Sequence, residues 1–387
     1  MSMPDYIFCF LAGAVLGFLA NEFADRWGCS RRYQSPLPKK LFIVFISGIG
    51  AAWLYWWEVE CLMLKPPALQ CSGIMKAIVL KNGGIILPDE ITYIAHLILF
   101  VLLLAATLTD FYEMVIPDSI TVIGTFVALF TASLSLETEL PVTVMYWTDY
   151  SIYPILDDDV YRMTVWSPNW PDFKLFETYS LLLMIPLWWF WCFAMLDRVW
   201  YTRLPIRKAH AIFWRYLYRS PRTKYIVAAA LIVPCFFAWV CSPASNFALF
   251  SALVGMAAGM ILVWSIRLVA HYVLGIEAMG FGDVTLMGMI GAFLGWQAVL
   301  LIFFAAPFFG LIYGIIHWVL GRGSAVPYGP FLCMAAVVVV IAWSPIWSAT
   351  AEYFSFGIGI IGIGLLVLLV LFAGLLHVVH KIMLRLR

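Results

Sequence analysis

Charged residues are scarce in this sequence. Aspartate, glutamate, lysine and arginine make up 12% of its 387 residues, whereas hydrophobic residues make up 64%. Soluble domains carry about 25% charged and about 45–50% apolar residues, so no water-soluble fold could hide this much apolar surface. The formal net charge of +1 gives no strong field for nucleic acid. We therefore predict a membrane protein that contacts the lipid bilayer and has no nucleic-acid partner.

The motifs of metal-dependent and serine hydrolases are absent as well. The eight cysteines form no C-x-x-C pair, which argues against a structural zinc site. There is no H-E-x-x-H sequence for a zinc protease and no G-x-S-x-G sequence for a serine nucleophile. We expect no metal ion and no cofactor.

Long apolar runs dominate what is present. Runs long enough to cross about 30 Å of hydrocarbon recur along the whole chain. They predict an all-α fold, a polytopic transmembrane helical bundle of about eleven spans. The predicted spans lie near residues 5–24, 41–57, 91–109, 119–136, 179–196, 225–241, 248–273, 284–303, 305–320, 327–348 and 354–378.

Basic residues indicate how these spans are oriented. Residues 25–40 hold five lysines and arginines, and residues 197–224 hold eight. Cytoplasmic loops carry an excess of such residues, so an external N-terminus accounts for the pattern. This orientation places Asp110, Asp283 and residues 327–330 at the inner face.

The first acid of interest is Asp110, which ends an apolar run. An ionisable residue at membrane depth is costly and often functional. Pro117 breaks the chain shortly afterwards. Asp118 stands where the next helix begins, and the simplest role of its carboxylate is to cap that helix.

The second acid is Asp283, which follows Gly280 and Gly282 in the sequence G-F-G-D. Glycine permits unusual backbone conformations and lets another backbone approach closely. An extended peptide substrate needs that access, because its backbone must exchange water for new hydrogen bonds.

Two carboxylates brought together cannot both ionise without strong repulsion, so such a pair shares one proton. The ionised partner can activate a water molecule, and the protonated partner can donate to the scissile carbonyl. Either acid alone could be a helix cap or an interfacial charge. Two acids on one predicted face, with a Pro-Asp step after the first and glycines before the second, predict a catalytic pair of Asp110 and Asp283.

Three stretches of the chain carry a resemblance to a known family. Residues 110–118, residues 277–296 and residues 326–332 resemble the type IV prepilin leader peptidases, which are membrane aspartic proteases with a G-x-G-D motif. The resemblance implies that Asp110 and Asp283 are catalytic. Residues that would shape the site are Gly280, Gly282, Pro117, Asp118, Pro327, Gly329 and Pro330.

The resemblance also implies a function and a division of the chain. A member of this family would cleave short basic leaders from type IV pilin-like precursors at the cytoplasmic face of the inner membrane. We expect an N-terminal membrane region over 1–90, a peptidase-like domain over 91–345 with an insertion at 137–244, and a C-terminal helix and basic tail over 346–387.

The sequence departs from the family pattern at two places. Thr285 stands where family members commonly have lysine, which could tune the carboxylates. The paired zinc-binding cysteines of the bifunctional members are missing, so nothing in the sequence supports methylation of the product.

Two alternatives to a prepilin peptidase stay open. A presenilin-like intramembrane protease shares the G-x-G-D motif but ends in Pro-Ala-Leu, whereas this chain has Pro-Tyr-Gly-Pro at 327–330. A non-catalytic transporter or assembly scaffold would also account for glycine-interrupted helices and buried acids.

Overall fold

The protein folds as a bundle of α-helices, which confirms the predicted all-α membrane architecture. The computed structural model describes residues 3–27, 36–61, 89–134, 140, 145–148, 151–154, 173–195, 215, 221–240, 243–274, 279–320, 327–354 and 357–386. All structural statements below refer to these residues. Most of the basic segment 197–224 lies outside them, as do Glu277, Ala278 and Val326 of the family-like stretches.

Twelve α-helices lie within the described residues. They are α1 (Met3–Trp27), α2 (Leu37–Tyr55), α3 (Asp89–Glu113), α4 (Asp118–Leu134), α5 (Phe173–Met195), α6 (Pro221–Val240), α7 (Pro243–Leu274), α8 (Phe281–Leu294), α9 (Trp296–Val319), α10 (Gly329–Ile341), α11 (Trp343–Phe354) and α12 (Gly357–Leu386). A π-helical turn, Trp56–Glu60, extends α2.

A small β-hairpin is the exception to the helical fold. Strands β1 (Met145–Thr148) and β2 (Ser151–Pro154) pair antiparallel, with Tyr146 opposite Tyr153. The hairpin lies in the predicted insertion 137–244, for which the sequence analysis foresaw no strand. The insertion and the other domain boundaries stay predictions.

The helices divide by length into three groups. Six described stretches are long and apolar enough to cross a membrane: Asp5–Asp25, Leu37–Val59, Thr92–Glu113, Ala248–Leu274, Trp296–His317 and Gly359–Val378. Helices α10 and α11 form one bent pair with an angle of 92° at their break. Four shorter apolar stretches complete the set: Asp118–Leu134, Leu182–Met195, Thr223–Pro234 and Phe281–Leu294.

Two of the predicted spans, 284–303 and 305–320, have the wrong boundary between them. The chain breaks at Gly295, where φ is 84°. This left-handed backbone ends α8 and suits glycine, which lacks a Cβ. Pro307 does not end α9, although it lies inside that helix. Proline is tolerated in membrane helices because neighbouring groups and local adjustments satisfy the freed carbonyl.

Helix α8 lies at the centre of the bundle. It packs against α3, α4, α7, α9 and α10, and its residues are buried from Phe281 to Leu294 with Gly282 as the half-buried exception. Glycines bring α7 and α8 into backbone contact, because a Cβ on Gly255 would clash with the carbonyl of Gly291. Small residues at such interfaces replace the hydrophobic driving force that lipid does not provide. The central position of α8 buries the first turn that carries Asp283.

Candidate active site

Asp110 lies in the last turn of α3, at one end of the bundle. Its side chain is 5% exposed, and the preceding Thr109 is fully buried. The helix ends just beyond, because Met114 adopts a left-handed backbone with φ of 54° while its N–H still donates to the Asp110 carbonyl. A single left-handed residue is a common helix terminator. The turn sends the chain back towards the start of α4.

Ile116 connects the two candidate motifs and the proline-glycine segment. It is buried in the turn between α3 and α4. A Cβ on Gly282 would lie 3.0 Å from the Ile116 Cβ, and a Cβ on Gly329 would lie 2.8 Å from the Ile116 Cδ1. Both glycines therefore make room for one isoleucine. Ile116 lies within residues 110–118, which carry part of the family resemblance, but no sequence pattern gives this isoleucine a role of its own.

Gly329 also contacts the carboxyl group of Asp110. The backbone N–H of Gly329 donates a hydrogen bond to that carboxylate. Gly329 is the first residue of α10, so its N–H has no partner within the helix, and the positive end of the helix dipole favours an anion there. A Cβ at this position would lie 2.6 Å from the Asp110 Oδ2. Glycine is the residue that allows this approach.

Asp283 has a matching arrangement at the start of α8. Gly280 is the N-cap residue, and its backbone N–H donates to the Asp283 carboxylate three residues later. This is the acidic half of a capping box, in which an acid in the first turn satisfies the N-cap N–H. The Asp283 side chain is 6% exposed. Asp283 therefore has a structural role at the helix start besides any catalytic role.

The structure brings the two acids into one site. Asp283 lies within electrostatic reach of Asp110 and of Arg267, a residue of α7. Two nearly buried carboxylates at this range repel each other when both are ionised, so they are expected to hold one proton between them. Such an arrangement could supply one base and one acid at the same place in the fold.

The other predicted site residues lie at the edges of this pair. Pro117 and Asp118 are half-buried in the turn that begins α4. Asp118 stands in the first turn of α4, where negative charge is favourable. Pro327 is half-buried ahead of α10, and Pro330 is buried in its first turn. The structure thus brings Asp110, Asp283, Gly280, Gly282 and Gly329 together. The three prolines and Asp118 lie in the turns and helix starts next to them.

Tyr328 is a neighbour that the sequence analysis did not single out. It is the N-cap residue of α10, directly before Gly329. Burial and the negative charge of Asp283 raise the pKa of Tyr328 to about 12, so its phenol stays protonated. The sequence feature that could have pointed to Tyr328 is its position inside the Pro-Tyr-Gly-Pro segment at 327–330.

The described residues contain no group of three or more histidines, cysteines, aspartates or glutamates that could hold a metal ion.

Fold and site together define a polytopic helical membrane protein with a buried aspartate pair at one end. Residues 223–315 match the family model described as the type IV leader peptidase family. The matched residues include Asp283, whereas Asp110 and residues 327–330 lie outside them.

Similar proteins lead to the same family. The chain is 34% identical over 110 residues to the prepilin leader peptidase/N-methyltransferase of Pseudomonas aeruginosa, which covers 27% of this chain and 38% of that protein. It is 31% identical over 134 residues to the protein of the same name from Stutzerimonas stutzeri, which covers 33% of this chain and 45% of that protein. These comparisons show that part of this chain is similar to the type IV leader peptidase family.

The similarity to these relatives covers only part of each chain. The chain spans less than half the length of the curated relatives it matches, with 45% covered in Stutzerimonas stutzeri and 32% in the Aeromonas salmonicida protein. No solved structure matches the chain significantly.

Proposed function

We propose that this protein is a membrane aspartic endopeptidase that removes the leader peptide from type IV pilin-like precursors. One observation carries the proposal: Asp110 and Asp283, far apart along the chain, share a nearly buried site in which each accepts a hydrogen bond from a glycine N–H. Two such carboxylates supply the acid and the base that peptide hydrolysis needs.

The reaction follows from the shared proton. The ionised carboxylate takes a proton from a water molecule while the water oxygen bonds to the scissile carbonyl carbon. The protonated carboxyl group donates its proton to the carbonyl oxygen. Collapse of the tetrahedral intermediate breaks the C–N bond. One hydroxyl group of the intermediate returns its proton to the pair as the new carboxyl group forms, and the pair gives a proton to the leaving amine. No covalent intermediate forms, and the pair is returned to its single-proton state.

Charges around the same end of the bundle support action at the cytoplasmic face. The Lys39 Nζ lies 4.3 Å from the ring centroid of Tyr112, two residues beyond Asp110. The Lys40 Nζ lies 3.1 Å from Glu22 Oε2 and 2.7 Å from Asp25 Oδ2. These lysines belong to the basic segment 25–40, which the positive-inside rule assigns to the cytoplasm. The aspartate pair would then face the cytoplasm of the cell inner membrane.

The proposed substrate class comes from the relatives. The names of these relatives refer to a prepilin leader peptidase and to an N-methyltransferase. The proposal extends to the peptidase activity alone, because the aspartate pair is the chemistry that the described residues bring together.

Single Asp110→Asn and Asp283→Asn variants test the proposal. Membranes containing each variant would be mixed with a pilin-like precursor that has a short basic leader, and the cleaved product would be mapped by mass spectrometry. Each substitution should abolish a cut at the leader junction. Glu352→Gln, at an exposed acid of α11, is the matched control and should cleave normally.

Full cleavage by either aspartate variant would overturn the proposal. A cut inside the hydrophobic segment would instead favour a presenilin-like protease.

A further inference from the structure

One permanently charged residue interrupts the apolar length of α7. Between Ala248 and Leu274, Arg267 is the single lysine, arginine, aspartate or glutamate. A charge within such a span is costly unless it faces the protein interior and has a purpose there. The isolation of Arg267 in an apolar run is the sequence signal for a specific role.

The guanidinium group of Arg267 lies against the start of α8. Its Cζ is 5.6 Å from the ring centroid of Phe281, in the geometry of a cation–π contact. Trp264, one turn earlier in α7, packs edge-on against the same ring at 5.5 Å between centroids. The contact with Phe281 places Arg267 beside the first turn of α8, which also carries Asp283.

Several groups from neighbouring helices lie within electrostatic reach of Asp283. Asp110 contributes a negative charge from α3, while the Tyr328 phenol and the Cys333 thiol, at the start of α10, feel the charge of Asp283. Arg267 is the cation that acts on Asp283 among the described residues. Repulsion from Asp110 and burial both disfavour an ionised Asp283, and Arg267 opposes them.

Thr285 explains why a cation from another helix matters in this chain. Family members commonly have lysine at this position. Here the Thr285 Oγ1 donates to the Gly282 carbonyl at 3.0 Å, and the side chain is 2% exposed. Thr285 thus completes the first turn of α8 but brings no charge to the aspartates.

We propose that Arg267 is a positioning residue that stabilises the singly ionised state of the Asp110–Asp283 pair from α7, in place of a cation on α8. The inference rests on the proposed peptidase function for its consequence in catalysis. Removing the charge makes the pair take up a second proton at a higher pH, so the base is lost under mildly acidic conditions. Keeping the charge with a different side chain preserves the base.

The test compares Arg267→Met and Arg267→Gln, which remove the charge, with Arg267→Lys, which keeps it. The matched control is Lys224→Met, at an exposed lysine of α6. The first measurement is kcat/KM for precursor cleavage against pH, because its acidic limb reports the free enzyme's catalytic base. The acidic limb should move to higher pH by about one unit in the Met and Gln variants. It should stay in place for Arg267→Lys and the control.

The second measurement does not depend on activity. Infrared titration follows the carboxylic acid band that disappears in Asp283→Asn, and its midpoint should move upward in Arg267→Met and not in Arg267→Lys. A midpoint unchanged by Arg267→Met and Arg267→Gln would overturn the inference, as would a lysine variant that shifts as far as methionine.

The two proposals fail in different ways. If Asp283→Asn abolishes cleavage while Arg267→Met leaves the acidic limb in place, the inference about Arg267 is wrong and the peptidase assignment stands. If Asp283→Asn cleaves normally, the peptidase assignment is wrong, and the infrared titration still decides whether Arg267 sets the charge of the pair.

Discussion

Helix α3 has a buried polar pair near each end, and the two pairs differ in kind. Near its start, His96 Nδ1 lies 2.8 Å from Glu58 Oε1, and these side chains are 0% and 2% exposed. Near its end, Asp110 faces Asp283. About 21 Å of helix separates the two places, at about 1.5 Å per residue.

The surroundings differ as much as the pairs. His96 and Glu58 lie beside a cluster of large side chains that includes Tyr55 and Tyr93. The Tyr93 hydroxyl donates to the Ala51 carbonyl at 3.1 Å, which ties α3 to α2. The aspartate pair is surrounded instead by glycines and by the N–H groups of helix starts.

The comparison separates a structural pair from a reactive one. An acid and an imidazole can form a hydrogen bond with each other, so the Glu58–His96 contact links the π-helical turn to α3, although the Glu58 Oε2 and the His96 Nε2 are buried without a hydrogen-bond partner among the described residues. Two acids cannot satisfy each other and must take up a proton, which leaves one base and one acid ready for chemistry. Glycines beside the second pair let Ile116 and the Asp110 carboxyl group approach closely, whereas tyrosines lie beside the first pair.

The largest expected effect is on the reactive pair. Asp110→Asn or Asp283→Asn should lower the cleavage rate by about 10²–10⁴-fold, because each removes a proton donor or acceptor from the reaction. The folded state should survive, since asparagine relieves the repulsion between the acids. Rates in membranes, together with thermal unfolding in detergent, would check both halves of the prediction.

The Glu58–His96 pair should respond in the opposite sense, with a loss of stability and no loss of cleavage rate. His96→Leu should lower the free energy of unfolding by about 3–5 kcal/mol, because it leaves Glu58 buried without its partner. The folded fraction should keep its cleavage rate. His377→Leu, at an exposed histidine of α12, is the control and should change little. Restored stability in a Glu58→Leu/His96→Leu double variant would sharpen the result, whereas a large loss of rate in folded His96→Leu would contradict the comparison.

The glycine beside the reactive pair comes next. Gly329→Ala should lower the cleavage rate by about 10²-fold, because the new methyl group displaces the Asp110 carboxyl group, and small misplacements have effects of that size. Gly314→Ala provides a matched control in α9, since a Cβ there meets nothing within 4 Å. Equal rates for both alanine variants would show that the close approach of Gly329 is unimportant.

The smallest effect is expected at Thr285. Thr285→Val removes the hydrogen bond to the Gly282 carbonyl and should lower the free energy of unfolding by about 1 kcal/mol. The acidic limb of the pH–rate profile should stay in place, because this side chain carries no charge. A shifted limb would assign Thr285 a direct part in setting the charge of the aspartates.

The sequence was sufficient to predict the membrane fold, and it singled out the two aspartates and the glycines beside them, whose catalytic role stays a prediction. The length of an apolar run is enough to predict a helix in lipid. The Asp-to-Pro-Asp and G-x-G-D patterns each lie within a few residues, so they are visible in the sequence. The break at Gly295 was missed because an apolar run continues through it, and a glycine's φ depends on how α8 and α9 pack. The α10–α11 bend at Ala342 was missed for a similar reason, because the apolar run continues across it, although Pro345 follows in the first turn of α11.

Contacts between distant segments could not be predicted from local patterns. The N–H of Gly329 reaches Asp110 because α10 begins against the end of α3, and Ile116 occupies the space left by two glycines on other segments. Arg267 approaches Asp283 because glycines let α7 and α8 pack closely. Each of these contacts depends on which helices are neighbours. In a chain surrounded by lipid, the pattern of apolar and polar residues along a helix does not show which helix lies next to it.

A double-mutant cycle on cleavage of a pilin-like precursor tests most directly whether the two aspartates act as one unit. Cleavage rates would be measured for Asp110→Asn, Asp283→Asn and the double variant in the same membranes. If the pair shares one catalytic proton, the double variant should be no slower than the slower single variant. Losses that multiply in the double variant, or one aspartate that can be replaced without loss, would contradict the shared site.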